Sequence, residues 1–422
     1  MNSLKDKLRQ SLQSAARYLL VFVKWAVVAA AAGVACGAVG ALFYRSVSAV
    51  TALRQREPWL LFLLPAAGLA IAAVYRLGGV AHDEGTNLIL SSIHTDRRPP
   101  LRMAALIFAG TVLTHLCGGS SGREGAALQI GGSLGNFAAE RLRLSEKDHI
   151  TLTMCGMSAV FTAVFGTPLT ATVFSLEVAS VGILHYSALL PCLFSSIAAY
   201  QVSLLMGVVP ESYRIAVAKP LSLAQDWRVI LVAALCALVS ILFCIALHQA
   251  ARLYQKYFPN PYVRAAAGGA LVIAFTFLCG TRIYNGAGMA VIESALRGQC
   301  PPWAFLCKIV LTALTLGAGF KGGEIVPAFF VGATFGCAFG NLFHLDAGFA
   351  AAIGLIAVFC AVVNCPIASI LLSVELFGAD NLLLFALAAG VSYLLSGPYS
   401  LYASQRLTYS KLEPTFVNRY TR

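Results

Sequence analysis

One acidic, glycine-rich break in apolar sequence occurs twice in this chain. Gly122-Arg123-Glu124-Gly125 interrupts an apolar block, and Gly322-Gly323-Glu324-Ile325 interrupts another 200 residues later. Ala159-Val160-Phe161-Thr162-Ala163-Val164 is matched 198 residues on by Ala357-Val358-Phe359-Cys360-Ala361-Val362. Pro168 and Pro366 follow at the same offset, then Ser175-Leu176-Glu177 against Ser373-Val374-Glu375. Upstream, Gly85 and Gly286 open related apolar stretches that lead to Pro99-Pro100 and Pro301-Pro302. The pieces keep the same order in both halves, so the chain is a duplication. The periodicity leaves open whether the halves run parallel or inverted.

The surrounding sequence sets the solvent. Of 422 residues 59% are hydrophobic and 11% charged, where a soluble domain carries about 25% charged residues. Apolar blocks fill 18–44, 58–80, 103–139, 150–185, 187–209, 229–250, 265–280, 303–319, 325–343, 348–374 and 381–396. At about 20 residues per span, the chain is expected to cross or enter a bilayer about ten to eighteen times. Glycine and proline cluster inside several blocks, at 117–135, 164–168, 284–288, 317–327 and 363–366. Irregular backbone at membrane depth is tolerated only where protein or a water-filled cavity covers it. Broken helices at matching places in two halves point to a transport site. The expected organisation is one membrane domain: a first repeat over 18–209, a polar linker over 210–228 and a second repeat over 229–411. The polar tail from Gln405 to Arg422 is too short for a cytoplasmic regulatory domain.

Charge is scarce and basic, with a net of +12. Arg54, Arg56, Arg97, Arg98, Arg141, Arg143 and Lys147 fall singly in short loops, as cytoplasmic flanks of spans do. No basic stripe interleaves with aromatics, so nucleic acid is not an expected partner. The twelve cysteines contain no C-x-x-C pair and read as small buried hydrophobes. His82, His94, His115 and His185 show no ligand spacing. No metal or cofactor is expected.

An ionisable residue inside a span is a functional candidate because its insertion costs roughly 2.5–3.5 kcal/mol. Glu124 precedes the apolar run Ala126–Ala139, which places it in the first turn of a helix. Free backbone N–H groups and partial positive charge at such a start bind anions. A carboxylate there can fill the anion site, then leave it when protonated, so one residue can gate and carry a proton. An Arg123–Glu124 pair that only caps the helix is the competing possibility, and the second copy at Glu324 favours function. Glu324 precedes a helix expected to start near Pro327, since proline suits a first turn. Glu177 and Glu375, at the ends of apolar helices, are expected to be structural carboxylates rather than proton relays. No nucleophile accompanies the acidic pair, so an enzyme using them as acid and base is not expected.

These residues carry a family resemblance. Gly122-Arg123-Glu124-Gly125 followed by Gln129-Ile130-Gly131 resembles the GREG motif of the CLC chloride channels and transporters, and Gly322-Gly323-Glu324-Ile325-Val326-Pro327 is similar to their second anion-binding motif. The resemblance runs from about residue 20 to residue 411. It implies an all-α polytopic membrane protein built as an inverted repeat of broken, tilted helices that meet at an anion pathway, assembled as a homodimer. Glu124 would be the gating glutamate, with Gly122, Arg123, Gly125, Ile325 and Val326 forming the anion cradle.

Three departures narrow the resemblance. The serine motif of chloride CLCs is replaced by Asp83-Glu84-Gly85-Thr86-Asn87-Leu88-Ile89, Glu324 stands for an apolar residue, and the internal proton glutamate of the exchangers is Val178 beside Glu177. All three resemble the fluoride-exporting clade, whose pore tyrosine corresponds to Tyr402, with Tyr399 a rival. Fluoride is small and strongly hydrated, so it needs strong donors in place of water. Thr86, Asn87, Tyr402, helix-start amides and a protonated Glu324 are the expected donors. The expectation is a fluoride/proton antiporter in the cytoplasmic membrane of a bacterium that protects the cell from fluoride. The alternative is a chloride/proton antiporter or chloride channel of the same family.

Overall fold

A helix that is apolar all round belongs in a protein core or a membrane, and two helices at the centre of this chain, over Ile325–Gly340 and Ala347–Val363, are buried over most of their length. The computed structural model describes residues 2–80, 84–215 and 223–422. His82, Asp83, Lys219 and Pro220 lie outside the described residues. Helices run over Asn2–Arg56 (α1), Leu64–Leu77 (α2), Thr86–Ser92 (α3), Leu101–Leu116 (α4), Glu124–Arg141 (α5), Glu146–Phe165 (α6), Pro168–Glu177 (α7) and Leu189–Leu205 (α8). The second set is Leu223–Tyr257 (α9), Pro261–Leu278 (α10), Met289–Leu296 (α11), Ala304–Gly317 (α12), Ile325–Gly340 (α13), Ala347–Val363 (α14), Pro366–Phe377 (α15) and Leu382–Leu395 (α16). Among the described residues, seven helices are long and apolar enough to cross a membrane.

The second set repeats the first. A short helix (α3, α11) leads to a longer one (α4, α12), then a glycine-rich break, then a tightly packed pair (α5–α6, α13–α14) and a proline-started helix (α7, α15). The long α1 packs on α6 and α8, and α9 packs likewise on α14 and α16. Residues Gly348 to Val363 of α14 are buried without interruption.

Small residues let the paired helices touch backbone to backbone. A Cβ placed on Gly131 of α5 would stand 2.1 Å from the carbonyl oxygen of Gly156 on α6. In the second half a Cβ on Gly332 of α13 would stand 2.3 Å from that of Gly354 on α14. No side chain fits in either place, and in lipid such close approach is what drives helix association. Both inner helices end in left-handed caps, α6 at Gly166 and α14 at Asn364, before Thr167-Pro168 and Cys365-Pro366 restart the chain.

Glu177 and Glu375 knit the halves together. The Glu177 carboxylate accepts from the amides of Ile367 and Ala368 at the start of α15, at 3.2 and 2.9 Å. Glu375 accepts from Leu169 and Thr170 at the start of α7, both at 2.9 Å. Each helix end thus caps the other helix's start, using the preference of N-termini for negative charge. This agrees with the structural role expected for both residues.

Two features differ from the expectation. The tail is a hairpin, Arg406–Tyr409 (β2) against Phe416–Tyr420 (β3), and β2 pairs in parallel with Ser180–Val181 (β1) beyond α7. Arg54 is not a loop charge: its guanidinium reaches inward to the carbonyl of His115 at 3.2 Å. A cation beneath the last turn of α4 satisfies a carbonyl at the negative end of that helix.

Candidate functional site: two helix starts joined back to back

The two acidic breaks meet. The Gly122 amide donates to the Gly323 carbonyl at 2.6 Å, and the Gly323 amide returns the bond to Gly122 at 2.8 Å. This two-bond antiparallel bridge sets the starts of α5 and α13 beside each other at the junction of the halves. Glycine is required because the backbones interpenetrate: a Cβ on Gly323 would stand 2.4 Å from the Gly125 amide nitrogen.

Glu124 opens α5 and is fully buried. Its Oε2 accepts from the Arg123 amide at 3.0 Å and its Oε1 faces Arg123 Nε at 3.3 Å. The carboxylate therefore lies on a backbone amide at the helix start, where an anion would otherwise be held. Glu324 is the N-cap of α13, which begins at Ile325, two residues before the expected Pro327. Proline then occupies the third helical position, where its missing N–H is still harmless. The Glu324 carboxylate lies against the partner break, since a Cβ on Gly125 would stand 2.9 Å from its Oε2. Ile325 and Val326 are buried in the first turn of α13.

Tyr402 comes within electrostatic reach of Glu324 and Glu124. It is 1% exposed and its hydroxyl makes no hydrogen bond among the described residues. A buried hydroxyl with no partner costs stability unless a ligand supplies one. Tyr399 instead contributes its carbonyl to Asn364. The loop that carries Tyr402 is fixed from behind: Thr421 Oγ1 donates to the Tyr402 carbonyl at 2.7 Å. Gln405, completely buried, donates to the carbonyls of Val178 and Val363 at 2.8 and 2.7 Å.

Thr86 and Asn87 enter from α3. The Thr86 hydroxyl accepts from Gln129 Nε2 at 3.2 Å and points at the Gly125 carbonyl at 3.4 Å, so it joins α3 to the GREG break. Asn87 is held by the loop that carries Tyr402. Its carboxamide oxygen accepts from both the amide and hydroxyl of Ser404 at 3.0 Å, which ties α3 to the Tyr402 loop.

Several participants have no signature in the sequence. Ser120 bonds Thr312 and the Tyr284 carbonyl, and Lys308, fully buried, donates to the carbonyls of Tyr284 and Gly286 at 3.0 and 2.6 Å. They pin the turn before α11 under the Glu124 break. A buried lysine in an apolar span was the one available signal for them. Val178, where a glutamate was expected on the chloride pattern, is fully buried and offers no titratable group.

Comparison with known proteins agrees with this geometry. Residues 67–397 match the model of the voltage-gated chloride channel family. A chloride/fluoride channel protein of Pseudomonas syringae pv. tomato is 38% identical over 395 residues, 92% of this chain and 87% of that one. An H(+)/Cl(-) exchange transporter of Yersinia pestis is 25% identical over 392 residues, 84% of this chain and 80% of the other. The crystal structure of a CLC-type fluoride/proton antiporter superposes with a TM-score of 0.87 at 32% identity, covering 91% of this chain and 98% of that one. A slow cyanobacterial Cl-/H+ antiporter shares the fold at a TM-score of 0.76 and 20% identity, over 88% and 94% of the two chains. Two halves joined at paired acidic helix starts, with the sequence and fold of these relatives, make this chain a member of the voltage-gated chloride channel, or CLC, family.

Proposed function

We propose that the protein is a fluoride/proton antiporter that exports fluoride. The observation that carries this reading is the meeting of Glu124 and Glu324 at the paired helix starts, with the buried Tyr402 hydroxyl, unpartnered among the described residues, within their electrostatic reach. An ionised Glu124 closes the cradle by lying on its amide. A proton neutralises it, the carboxyl withdraws, and an anion takes the helix-start amides. Fluoride accepts hydrogen bonds strongly and demands good donors when it leaves water. Tyr402 and a protonated Glu324 are such donors, with the amides of Ile325 and Val326 behind them. Gly122 and Gly125 leave room for the two carboxylates. Thr86 and Asn87 position this wall by binding α5 and the Tyr402 loop. Without a titratable group at Val178, protons reach the inner side through Glu124 and Glu324 themselves.

The cytoplasmic membrane of a bacterium is the proposed location, supported by the bacterial relatives. A homodimer is the proposed assembly; crosslinking in membranes should give one discrete doubled band. The test of anion identity is efflux from proteoliposomes read by a fluoride electrode and a chloride electrode in turn. Fluoride should leave far faster than chloride, and equal rates would overturn the reading in favour of ordinary chloride exchange.

A further inference from the structure

Arg123 is shared between two carboxylates. One face of its guanidinium meets Glu124 at 3.3 Å, and its Nη2 donates to Glu211 Oε1 at 3.0 Å. Glu211 lies in the linker between the halves, beyond the last turn of α8. Its Oε2 accepts from the Tyr213 hydroxyl at 3.0 Å, and the Tyr213 amide donates to the Leu376 carbonyl near the end of α15 at 2.8 Å. The linker is therefore moored on the first-half helix start at one point and on the second half at the next. The ring of Tyr44 covers the guanidinium at 4.4 Å, a cation–π contact that keeps Arg123 in place.

Exposure separates the three members. The side chains of Glu124, Arg123 and Glu211 are 0, 9 and 19% exposed. Glu211 is the member that meets water. The ionisable groups around it are Arg123 and Glu124 from α5, Tyr44 from α1, Tyr213 from its own segment, and Glu293 of α11 on the far side of Tyr213. From α15 it is approached by Leu376 and Phe377, which carry no charge. Burial and then the Glu211 charge push the Tyr213 phenol up, so it stays a neutral donor and adds no second negative charge beside Glu211. Two carboxylates on one guanidinium leave a surplus negative charge when both are ionised.

We propose that Glu211 is a positioning residue that sets the pH at which Glu124 exchanges its proton. While ionised, Glu211 holds one end of Arg123 and adds like charge, which favours a proton on Glu124. Removing that charge leaves the guanidinium to Glu124 alone and favours the closed, ionised gate. This inference rests on the proton-exchanging role proposed for Glu124.

The test compares the parent with Glu211→Gln and Glu211→Asp in proteoliposomes, measuring anion-driven proton movement against pH on each side separately. Glu211→Gln should move the midpoint of the profile to lower pH by about one unit, and only when pH is varied on one side. Glu211→Asp should keep the parent midpoint. A Gln profile that superimposes on the parent, shifts alkaline, or merely falls at every pH would overturn the proposal. The assay is run with fluoride and with chloride. Proton movement with chloride alone would remove the fluoride reading and leave the Glu211 test intact. An infrared titration of the carboxyl band on the same samples reads the midpoint without transport. There the Gln variant should move the Glu124 carboxyl band to lower pH, identified by its loss in Glu124→Gln, and an unmoved band would overturn the proposal even if no ions flow.

Discussion

The helix starts at Glu124 and Glu324 share a backbone and differ in charge. Both lie at a glycine bridge, and both open a helix that packs glycine-to-backbone on its neighbour. Yet Glu124 is preceded by Arg123, which links it through Glu211 to the linker and to water, whereas Glu324 is preceded by Gly323. Duplication supplied the cradle twice, and divergence at one side chain gave the two carboxylates different neighbours. A carboxylate coupled to a cation and to water suits proton exchange. One without a preceding cation, lying against the partner break, suits anion contact.

The shared backbone is tested by the largest effect. Gly131→Val and Gly332→Val each place a side chain within about the space of a bond from a carbonyl, and each should abolish recovery of folded protein by size exclusion. Recovery of either one would break the equivalence of the halves. The difference in charge is tested next. Glu124→Gln should abolish proton movement while anion movement persists. Glu324→Ala, which removes the donor, should cut fluoride flux itself by about tenfold to a hundredfold, the worth of a charge-assisted hydrogen bond. Reversed phenotypes, read with paired fluoride and pH electrodes, would reverse the assignment.

The caps should behave alike. Glu177→Ala and Glu375→Ala each remove a carboxylate from two amides at a buried helix start, and each should cost about 1–2 kcal/mol in a thermal or denaturant melt. A much larger loss of proton coupling than of stability at Glu177 would instead make it a relay. The smallest effect is at the tail. Thr421→Val removes one hydrogen bond behind Tyr402, worth about 1 kcal/mol, and should lower fluoride-over-chloride selectivity a few-fold, with Thr421→Ser restoring it.

Much of this was legible because scarcity of charge makes Glu124 and Glu324 stand out, and because the repeat fixes which breaks correspond. The positions of Thr86, Asn87 and Tyr402 followed from motif resemblance. The rest was hidden because its partners are distant in sequence. Nothing local tells that Glu177 reaches Ala368 or that Glu375 reaches Thr170. Glu211 reads as one more polar linker residue until Arg123 is seen beside it. The tail strands are short and polar, and their pairing with Ser180–Val181 depends on where α7 ends. Arg54 was misread because a charge at a helix end looks like a loop charge until its side chain is traced to His115.

Proton-for-fluoride exchange gated at Glu124 is most directly tested by loading proteoliposomes with fluoride and recording efflux and internal pH together. Fluoride leaving should draw protons in, and Glu124→Gln should abolish the proton signal while fluoride still leaves. Fluoride efflux by the parent chain with no accompanying proton entry would contradict it.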